Sequence, residues 1–429
     1  MEKIRKIVAS LMNEEIGAVK FLLIFLAVIS VRLFIELFIA RVYSATFWEV
    51  ISLYIHSFYF FSILIASLWL FLSLILNQKP QKLGGIFIWA SLLVILPPIL
   101  DVIKTGGEVY WSFYILSSFS DLKIQFMTVF GHLPSGIMYF GTRITFILAI
   151  ILLSFLVFLE TKDWLKTILS AIGSYLILFL LGAFPSIFAY FYFFLTEKRA
   201  ISDVKSFQIA QFFGSPGKIW GLTSSDLTHT FAYKMEMAFF PILLAILMGL
   251  FYMTSRQKLW AVLKNLRYPQ LIYHCGLFII GMGLGFLNYP NSFNLNIFSF
   301  LTVVILILSI FLAWKASVVI NDIVDIKIDQ ITNPSRPLPQ KIFNEKEYLN
   351  LGIICLFLSL FGGITIGPVF FVLLLIYQIL AFFYSAKPYR LKKFPIIATA
   401  TSSLASIFIL FLGFVLMSGG QAFQDMSWR

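Results

Sequence analysis

The sequence predicts an all-α polytopic membrane protein. Hydrophobic residues make up 60% of its 429 positions and charged residues only 12%, whereas water-soluble domains carry about 25% charged residues. Apolar stretches of about 20 residues, the length with which an α-helix crosses a bilayer, recur along the whole chain. These stretches are continuous and do not alternate with period two, which favours membrane-spanning helices over a β-barrel.

The apolar stretches fall into two sets that are separated by a basic connection. The connection, Ser255–Arg267, is short and polar, and we place a domain boundary there. We expect an N-terminal transmembrane domain of unknown function at residues 1–260 and a second domain at 261–429. The predicted spans lie near 18–40, 49–76, 84–100, 139–160, 167–196 and 236–255 in the first domain, and near 269–288, 297–320, 347–366, 368–385 and 396–419 in the second.

Membrane topology explains the formal net charge of +12. Lysine and arginine gather at span ends and in short loops, and the cytoplasmic loops of membrane proteins are enriched in these residues. We therefore expect no nucleic-acid partner. We expect an integral multi-pass protein of the cell membrane whose N-terminus and basic loops 256–267, 321–346 and 386–395 are cytoplasmic. Cys275 and Cys355 lie in apolar runs without metal-ligand spacing, so neither a disulfide nor zinc is indicated.

The first set of spans shows little chemistry. Arg32 and Glu36 are four residues apart on one predicted helix, a spacing that favours a mutually neutralising pair over a functional intramembrane charge. The segment Gly214–Lys218 lacks the four residues that a phosphate loop has between its glycines. The histidines have no metal-ligand spacing and are expected to be solvated or hydrogen-bonded: His56, His132, His229 and His274.

Three aspartates follow the second span of the second set. Asp322, Asp325 and Asp329 are separated by three and then four residues, so a helix continuing out of the membrane would stack all three carboxylates on one face. Magnesium binds one or two carboxylates together with substrate phosphates. The alternative is a solvated acidic helix end, which we disfavour because the whole chain has only 20 acidic residues. We expect a site for Mg²⁺ and a diphosphate here, with Asn321 beside it.

Cationic side chains follow the aspartates and recur in a later loop. Pro334 cannot continue a helix, so the chain should turn there and let Arg336 point back towards the carboxylates. The loop 384–395 would supply further donors to a diphosphate, although a cytoplasmic loop of a membrane protein would be basic in any case. Its charge alone leaves both interpretations open. The candidate ligands in this loop are Tyr384, Lys387, Arg390 and Lys392.

These residues resemble the UbiA-type membrane prenyltransferase superfamily. Residues 321–329 match its NDxxDxxxD signature without a gap, and Arg267–Pro269 is similar to the Arg-Pro entry to its first helix. Residues 332–339 resemble the NxPxRPxP continuation of the geranylgeranylglyceryl-phosphate and chlorophyll-synthase-like branches, with Thr332 at the asparagine position. Residues 384–392 are similar to the YSxxPxRLK segment, so the resemblance covers about 261–429.

The resemblance implies a helical bundle around a cleft open to lipid, in which Mg²⁺ assists prenyl transfer from a prenyl diphosphate. The acceptor would be an aromatic compound, a tetrapyrrole or a glycerol-phosphate lipid. Asp322, Asp325 and Asp329 would be metal ligands and, with Asn321, catalytic residues, while the arginines, lysines and Tyr384 named above would bind the diphosphate. A competing hypothesis is a non-catalytic protein that binds or transports prenyl lipids.

One departure from the family pattern limits what the resemblance implies. The family has nine helices and a second DxxxD motif after the sixth, whereas this sequence reaches the fifth span and then residue 429. We therefore expect a C-terminally incomplete domain that binds prenyl diphosphate weakly without turning it over. The acceptor, the prenyl chain length and the oligomeric state are left open by the sequence.

Overall fold

The computed structural model describes residues 2–14, 16–39, 47–106, 115–131, 139–214, 227–292 and 295–419. All regular secondary structure within these ranges is helical. Eleven helical segments there are long and apolar enough to cross a bilayer, six before residue 255 and five after it. The predicted fold class, a polytopic α-helical membrane protein, is confirmed. His132 and most of the Gly214–Lys218 segment lie outside the described residues.

The helices before residue 255 form one compact unit, and those from residue 256 onward form a second. The helices of the first unit are α1 (Glu2–Met12), α2 (Ala18–Phe34), α3 (Phe47–Leu76), α4 (Pro80–Ser91), α5 (Leu96–Thr105), α6 (Phe119–Met127), α7 (Phe140–Thr161), α8 (Trp164–Gly182), α9 (Phe184–Glu197), α10 (Ser206–Gly214) and α11 (Leu227–Thr254). Those of the second are α12 (Arg256–Lys264), α13 (Tyr268–Asn288), α14 (Ile297–Val324), α15 (Ile326–Thr332), α16 (Glu345–Ile366), α17 (Pro368–Ser385) and α18 (Pro395–Ser418).

Prolines make the first unit less regular than the sequence suggested. The predicted single span at 167–196 is wrong, because α8 ends at Gly182 and a separate helix begins at Phe184. Pro185 lacks the N–H that a continuous helix needs, and its ring would clash with the carbonyl four residues earlier. The span predicted near 84–100 runs over Pro80–Thr105 and contains a 3₁₀ turn just before Pro97.

The Arg32–Glu36 ion pair predicted from helical spacing is present in the first unit. The Arg32 guanidinium also donates to the carbonyl of Val94 at 2.9 Å and lies over the ring of Phe61. A charged group in the apolar part of a bundle is tolerated when partners of this kind satisfy it. These contacts therefore explain the pair as a neutralised structural element.

Close backbone contact between α13 and α18 fixes one side of the second unit. A Cβ on Gly281 would lie 2.0 Å from the carbonyl oxygen of Leu410, and one on Gly413 would lie 2.0 Å from that of Phe278. Only glycine permits such an approach, and small residues at helix contacts are a typical device of membrane proteins. We call this contact the glycine seam.

Helix starts in the second unit follow local sequence signals. Asn344 and Glu347 form a capping box at the start of α16, and Asn296 caps α14 by accepting from the Ser299 amide. Pro269, Pro368 and Pro395 lie in the first turns of α13, α17 and α18, where no intrahelical N–H is required. The chain leaves α14 and α17 at the same end of the unit, which brings the aspartates and the basic loop together.

Candidate active site

The aspartate segment does not form one continuous helix. The expectation of a single helical face is wrong, because α14 ends at Val324 and α15 begins at Ile326. Asp325 forms the turn between them, with φ −96° and ψ 8°. Its carboxylate pairs with Arg390 and Lys392. These tertiary ion pairs favour a turn at Asp325, although the spacing of the aspartates alone predicts a continuous helix. The break divides the three carboxylates into two groups.

Asp322 and Asp329 form the first group and share one cation. Both residues are buried, with 1% and 3% of their surface exposed. Arg336 Nη1 contacts Asp329 Oδ2 and lies 3.4 Å from Asp322 Oδ1. The turn at Pro334 that follows α15 reverses the chain and brings Arg336 back to the aspartates. Asn333 completes the group by donating to Asp329 Oδ1 at 3.0 Å.

Asp322 has further partners that the sequence analysis did not name as site residues. Arg267 pairs with its Oδ1, while Asn265 and Tyr348 donate to its Oδ2 at 2.8 and 3.1 Å. Lys315, which is 3% exposed, donates to the Tyr348 hydroxyl at 3.2 Å. The sequence could have indicated Lys315, because it is a lone lysine within an apolar span. It could also have indicated Arg267, which belongs to the Arg-Pro segment before the first helix of the second unit. Asn265 and Tyr348 had no sequence signal.

Asp325 and Asn321 form the second group with the basic loop. Arg390 contacts Asp325 Oδ1 at 2.5 Å, and Lys392 contacts Asp325 Oδ2. Lys392 also donates to Asn321 Oδ1 at 2.7 Å. The structure therefore brings Asn321, Arg390 and Lys392 to the aspartates. Lys387, by contrast, is exposed and makes no ion pair with any residue that the structure describes.

Positive charge exceeds negative charge at this site. The three carboxylates contact four cationic side chains directly, and Lys315 adds a fifth through Tyr348. Arginine and lysine at such positions bind phosphate oxygens strongly, arginine in a two-pronged geometry. The surplus of cations suits a multiply charged anion. The direct cationic partners are Arg267, Arg336, Arg390 and Lys392.

A cavity of about 430 Å³ begins beside these ion pairs. Arg267, Asn321 and Tyr384 line it, so it is continuous with the charged site. Its other lining residues come from α13, α14, α17 and α18 and include Trp314 and Leu380. Mostly apolar cavities of this size with a few polar groups are typical of small-molecule sites.

The arrangement of Asp322 and Asp329 fits a divalent cation. Arg336 Nη1 lies 3.4 Å from Asp322 Oδ1 and contacts Asp329 Oδ2, so both carboxylates can face one positive charge. Magnesium commonly binds through one or two carboxylates and completes its shell with phosphate and water. Asp325 pairs separately, with Arg390 and Lys392.

Comparison with known proteins finds a family match for most of the second unit. Residues 275–428 match the model of the UbiA prenyltransferase family. The digeranylgeranylglyceryl phosphate synthase of Methanosarcina barkeri is 29% identical over 127 residues, which cover 29% of this chain and 44% of that protein. The synthase of the same name from Sulfurisphaera tokodaii is 31% identical over 110 residues, 26% of this chain and 36% of that protein.

A third relative from Pyrococcus horikoshii carries the same name and is 29% identical over 101 residues, 24% of this chain and 35% of that protein. The chain thus spans less than half the length of these curated relatives. No solved structure matches the chain.

Proposed function

We propose that the second unit of this membrane protein, in which residues 275–428 match the model of the UbiA prenyltransferase family, transfers a prenyl group from its diphosphate to the hydroxyl of a glycerol-phosphate lipid. The family match confirms the resemblance found in the sequence. The names of the three relatives favour the lipid acceptor over an aromatic compound or a tetrapyrrole. The observation that carries the proposal is the position of Arg336 between Asp322 and Asp329.

Binding of the diphosphate would exchange ion-pair partners. Arg336, Arg390 and Lys392 each pair with an aspartate, and all three side chains are partly buried. Their charged ends can turn from carboxylate to phosphate oxygens without leaving the site. Tyr384, which lines the cavity next to this cluster, would contact the first carbons of the prenyl chain. Exposed Lys387 would act at longer range.

Asp322 and Asp329 would hold Mg²⁺ once Arg336 has turned to the phosphates. When bound, this ion supplies charge neutralisation of the leaving diphosphate. Asp325 would keep Arg390 and Lys392 in place, since it holds both of them in the structure. We thus propose two metal-binding aspartates, Asp322 and Asp329, and a positioning role for Asp325, which the sequence analysis expected to be a third metal ligand.

The reaction begins with cleavage of the allylic C–O bond, and the electron pair leaves with the diphosphate. Preorganised cations stabilise that developing charge, which is where electrostatic catalysis contributes most. The apolar walls of the cavity, among them Leu380 and Trp314, keep water from the allylic cation. The acceptor oxygen then bonds to the same carbon. Loss of the hydroxyl proton completes the ether.

The test uses the purified full chain in lipid with Mg²⁺, labelled geranylgeranyl diphosphate and one of two acceptors. The acceptors are geranylgeranylglyceryl phosphate and a phenol. Ether formation with the lipid, lost in the double variant Asp322→Asn/Asp329→Asn, is the expected result. Transfer to the phenol alone would contradict the proposed acceptor. Binding of the diphosphate without transfer to either acceptor, which is the expectation from the missing second DxxxD motif in the sequence, would contradict the enzyme proposal and support a prenyl-lipid binding protein.

A further inference from the structure

A histidine and a tyrosine within hydrogen-bond distance of each other line the cavity. His274 on α13 and Tyr377 on α17 both line it and are 7% and 3% exposed. The Tyr377 hydroxyl lies 3.4 Å from His274 Nε2. The Trp314 ring packs on the imidazole with 4.9 Å between ring centroids. The proposed binding of the diphosphate uses neither His274 nor Tyr377.

The hydrogen bond on the other side of the ring defines the role of each nitrogen. His274 Nδ1 lies 2.6 Å from the carbonyl oxygen of Gln270, which can only accept a hydrogen bond. Nδ1 therefore carries the hydrogen, and in the neutral ring Nε2 has a free lone pair. The Tyr377 hydroxyl, which also has a hydrogen-bond partner in Ser317, can donate to that lone pair. Its own oxygen is then able to accept a hydrogen bond from a molecule in the cavity.

The pair lies at a suitable depth for the second substrate. Along α14 the cavity is lined by Asn321, which is in the ion-pair cluster, and then by Ser317 and Trp314. Four residues of helix correspond to about 6 Å, so Ser317 lies one turn deeper than Asn321. Tyr377 and His274 border the cavity together with Ser317 and Trp314. A nucleophile held there would lie just beyond a diphosphate bound at the cluster.

We infer that Tyr377 and His274 bind the hydroxyl group of the acceptor lipid and take up its proton, an inference that rests on the proposed function. The acceptor hydroxyl donates to Tyr377 Oη. As its oxygen bonds to the allylic carbon, the hydroxyl proton passes to Tyr377, and the proton of Tyr377 passes to His274 Nε2. The diphosphate has left with the electron pair of the broken C–O bond. The imidazolium then returns its proton to water.

This pair also defines the class of acceptor. An alcohol presents an O–H that can donate to Tyr377, whereas the corresponding ether presents none. A site built to hydrogen-bond a hydroxyl discriminates strongly against the analogue that lacks it, because its own polar group is then left unpaired. The inference is therefore that the cavity selects lipids with a free hydroxyl.

A binding measurement tests this selection without requiring turnover. The full chain in lipid nanodiscs is titrated with geranylgeranylglyceryl phosphate and with its O-methyl ether, using native mass spectrometry. The wild type should bind the alcohol about tenfold more tightly. Tyr377→Phe and, as a second variant, His274→Gln should reduce this ratio to near one. Equal binding of the two lipids by the wild type, or an unchanged ratio in Tyr377→Phe, would overturn the inference.

Tyr289→Phe is the matched control, because it removes a hydroxyl from the end of α13 outside the cavity lining. It should retain the wild-type ratio. Loss of the ratio in this control as well would show that the effect is not specific to the pair, and would overturn the inference. Absence of prenyl transfer by the wild type, with the binding ratio intact, would contradict the proposed function alone.

The transfer reaction provides an independent readout. In Tyr377→Phe, prenyl transfer should fall by about 10²-fold, the contribution of a positioned proton acceptor. Diphosphate release to water should continue, because the cations and aspartates are untouched. Transfer at the wild-type rate in Tyr377→Phe would overturn the proton-transfer role.

Discussion

Arg336 contacts the carboxylate of Asp329, seven positions earlier in the chain, across the turn that follows α15. The contact places one guanidinium nitrogen beside a carboxylate that is almost completely buried, together with that of Asp322. A buried carboxylate without a partner would be costly. Arg336 therefore supplies positive charge to both buried carboxylates, and the consequences of replacing it can be measured.

Removal of either aspartate that is proposed to bind Mg²⁺ should strongly reduce Mg²⁺-dependent transfer. Asp322→Asn and Asp329→Asn each remove a charge that would bind the ion and position Arg336, and we expect losses of at least about 10²-fold in kcat. Lys327→Ala is the control, because this side chain is exposed between the two. Transfer is followed by thin-layer chromatography of labelled product. Similar losses in all three variants would indicate disruption of the segment instead.

Replacement of Arg336 should have opposite effects on the metal and on the diphosphate. Arg336→Gln leaves Asp322 and Asp329 without their shared cation, so Mn²⁺ should bind more tightly than to the wild type when no diphosphate is present. Affinity for the diphosphate should fall about tenfold or more, since a charged hydrogen bond is lost. Electron paramagnetic resonance of Mn²⁺ measures the first effect. Weaker Mn²⁺ binding in the variant would exclude competition between Arg336 and the metal.

The lysines of the basic loop should differ in importance. Lys392 contacts Asp325 and Asn321, whereas Lys387 is exposed and outside the ion-pair cluster. Lys392→Ala should raise KM for the prenyl diphosphate about tenfold, the size expected for one charged hydrogen bond. Lys387→Ala should change it less than threefold, as surface charges contribute little. Steady-state kinetics of both variants in the same lipid measures the two KM values. A larger increase in KM for Lys387→Ala than for Lys392→Ala would contradict the assignment of Lys392 to the diphosphate site.

The glycine seam should be intolerant of a single methyl group. Gly281→Ala would place its Cβ against the carbonyl oxygen of Leu410, forcing α13 and α18 apart. Overpacking of this kind costs about 1–3 kcal/mol, so the detergent-solubilised variant should melt several degrees lower. Gly283→Ala, whose Cβ would meet nothing within 4 Å, is the control. An equal fall in Tm for both would show that helix glycines matter for another reason.

The basic loops that are predicted to be cytoplasmic define the membrane orientation of the second unit, and cysteine labelling tests it. With Cys275 and Cys355 replaced by alanine, Ser335→Cys should not react with an impermeant maleimide applied to intact cells. Asn291→Cys, in the uncharged connection between α13 and α14, should react. Both positions are exposed, so accessibility depends on the side of the membrane. The reverse labelling pattern would invert the topology of the second unit.

The spans were predictable because each depends on a local property, about 20 continuous apolar residues. The break between α8 and α9 has a local cause in Pro185. It was missed because the residues on both sides of it are continuously apolar. The break at Asp325 could not be read from spacing, since it accompanies ion pairs with Arg390 and Lys392, more than 60 residues later in the chain. The Asn265 and Tyr348 contacts are likewise tertiary, and they involve ordinary residue types.

The ion pairs between the aspartates and the basic side chains have a further consequence, for the end of the catalytic cycle. Each of Arg336, Arg390 and Lys392 has a carboxylate to which it can return. A cluster of cations without such counter-ions would retain pyrophosphate, because its departure would leave buried charges unpaired. Here the carboxylates compete with the departing anion for the same cations. In the proposed reaction, the same three aspartates would thereby limit product inhibition.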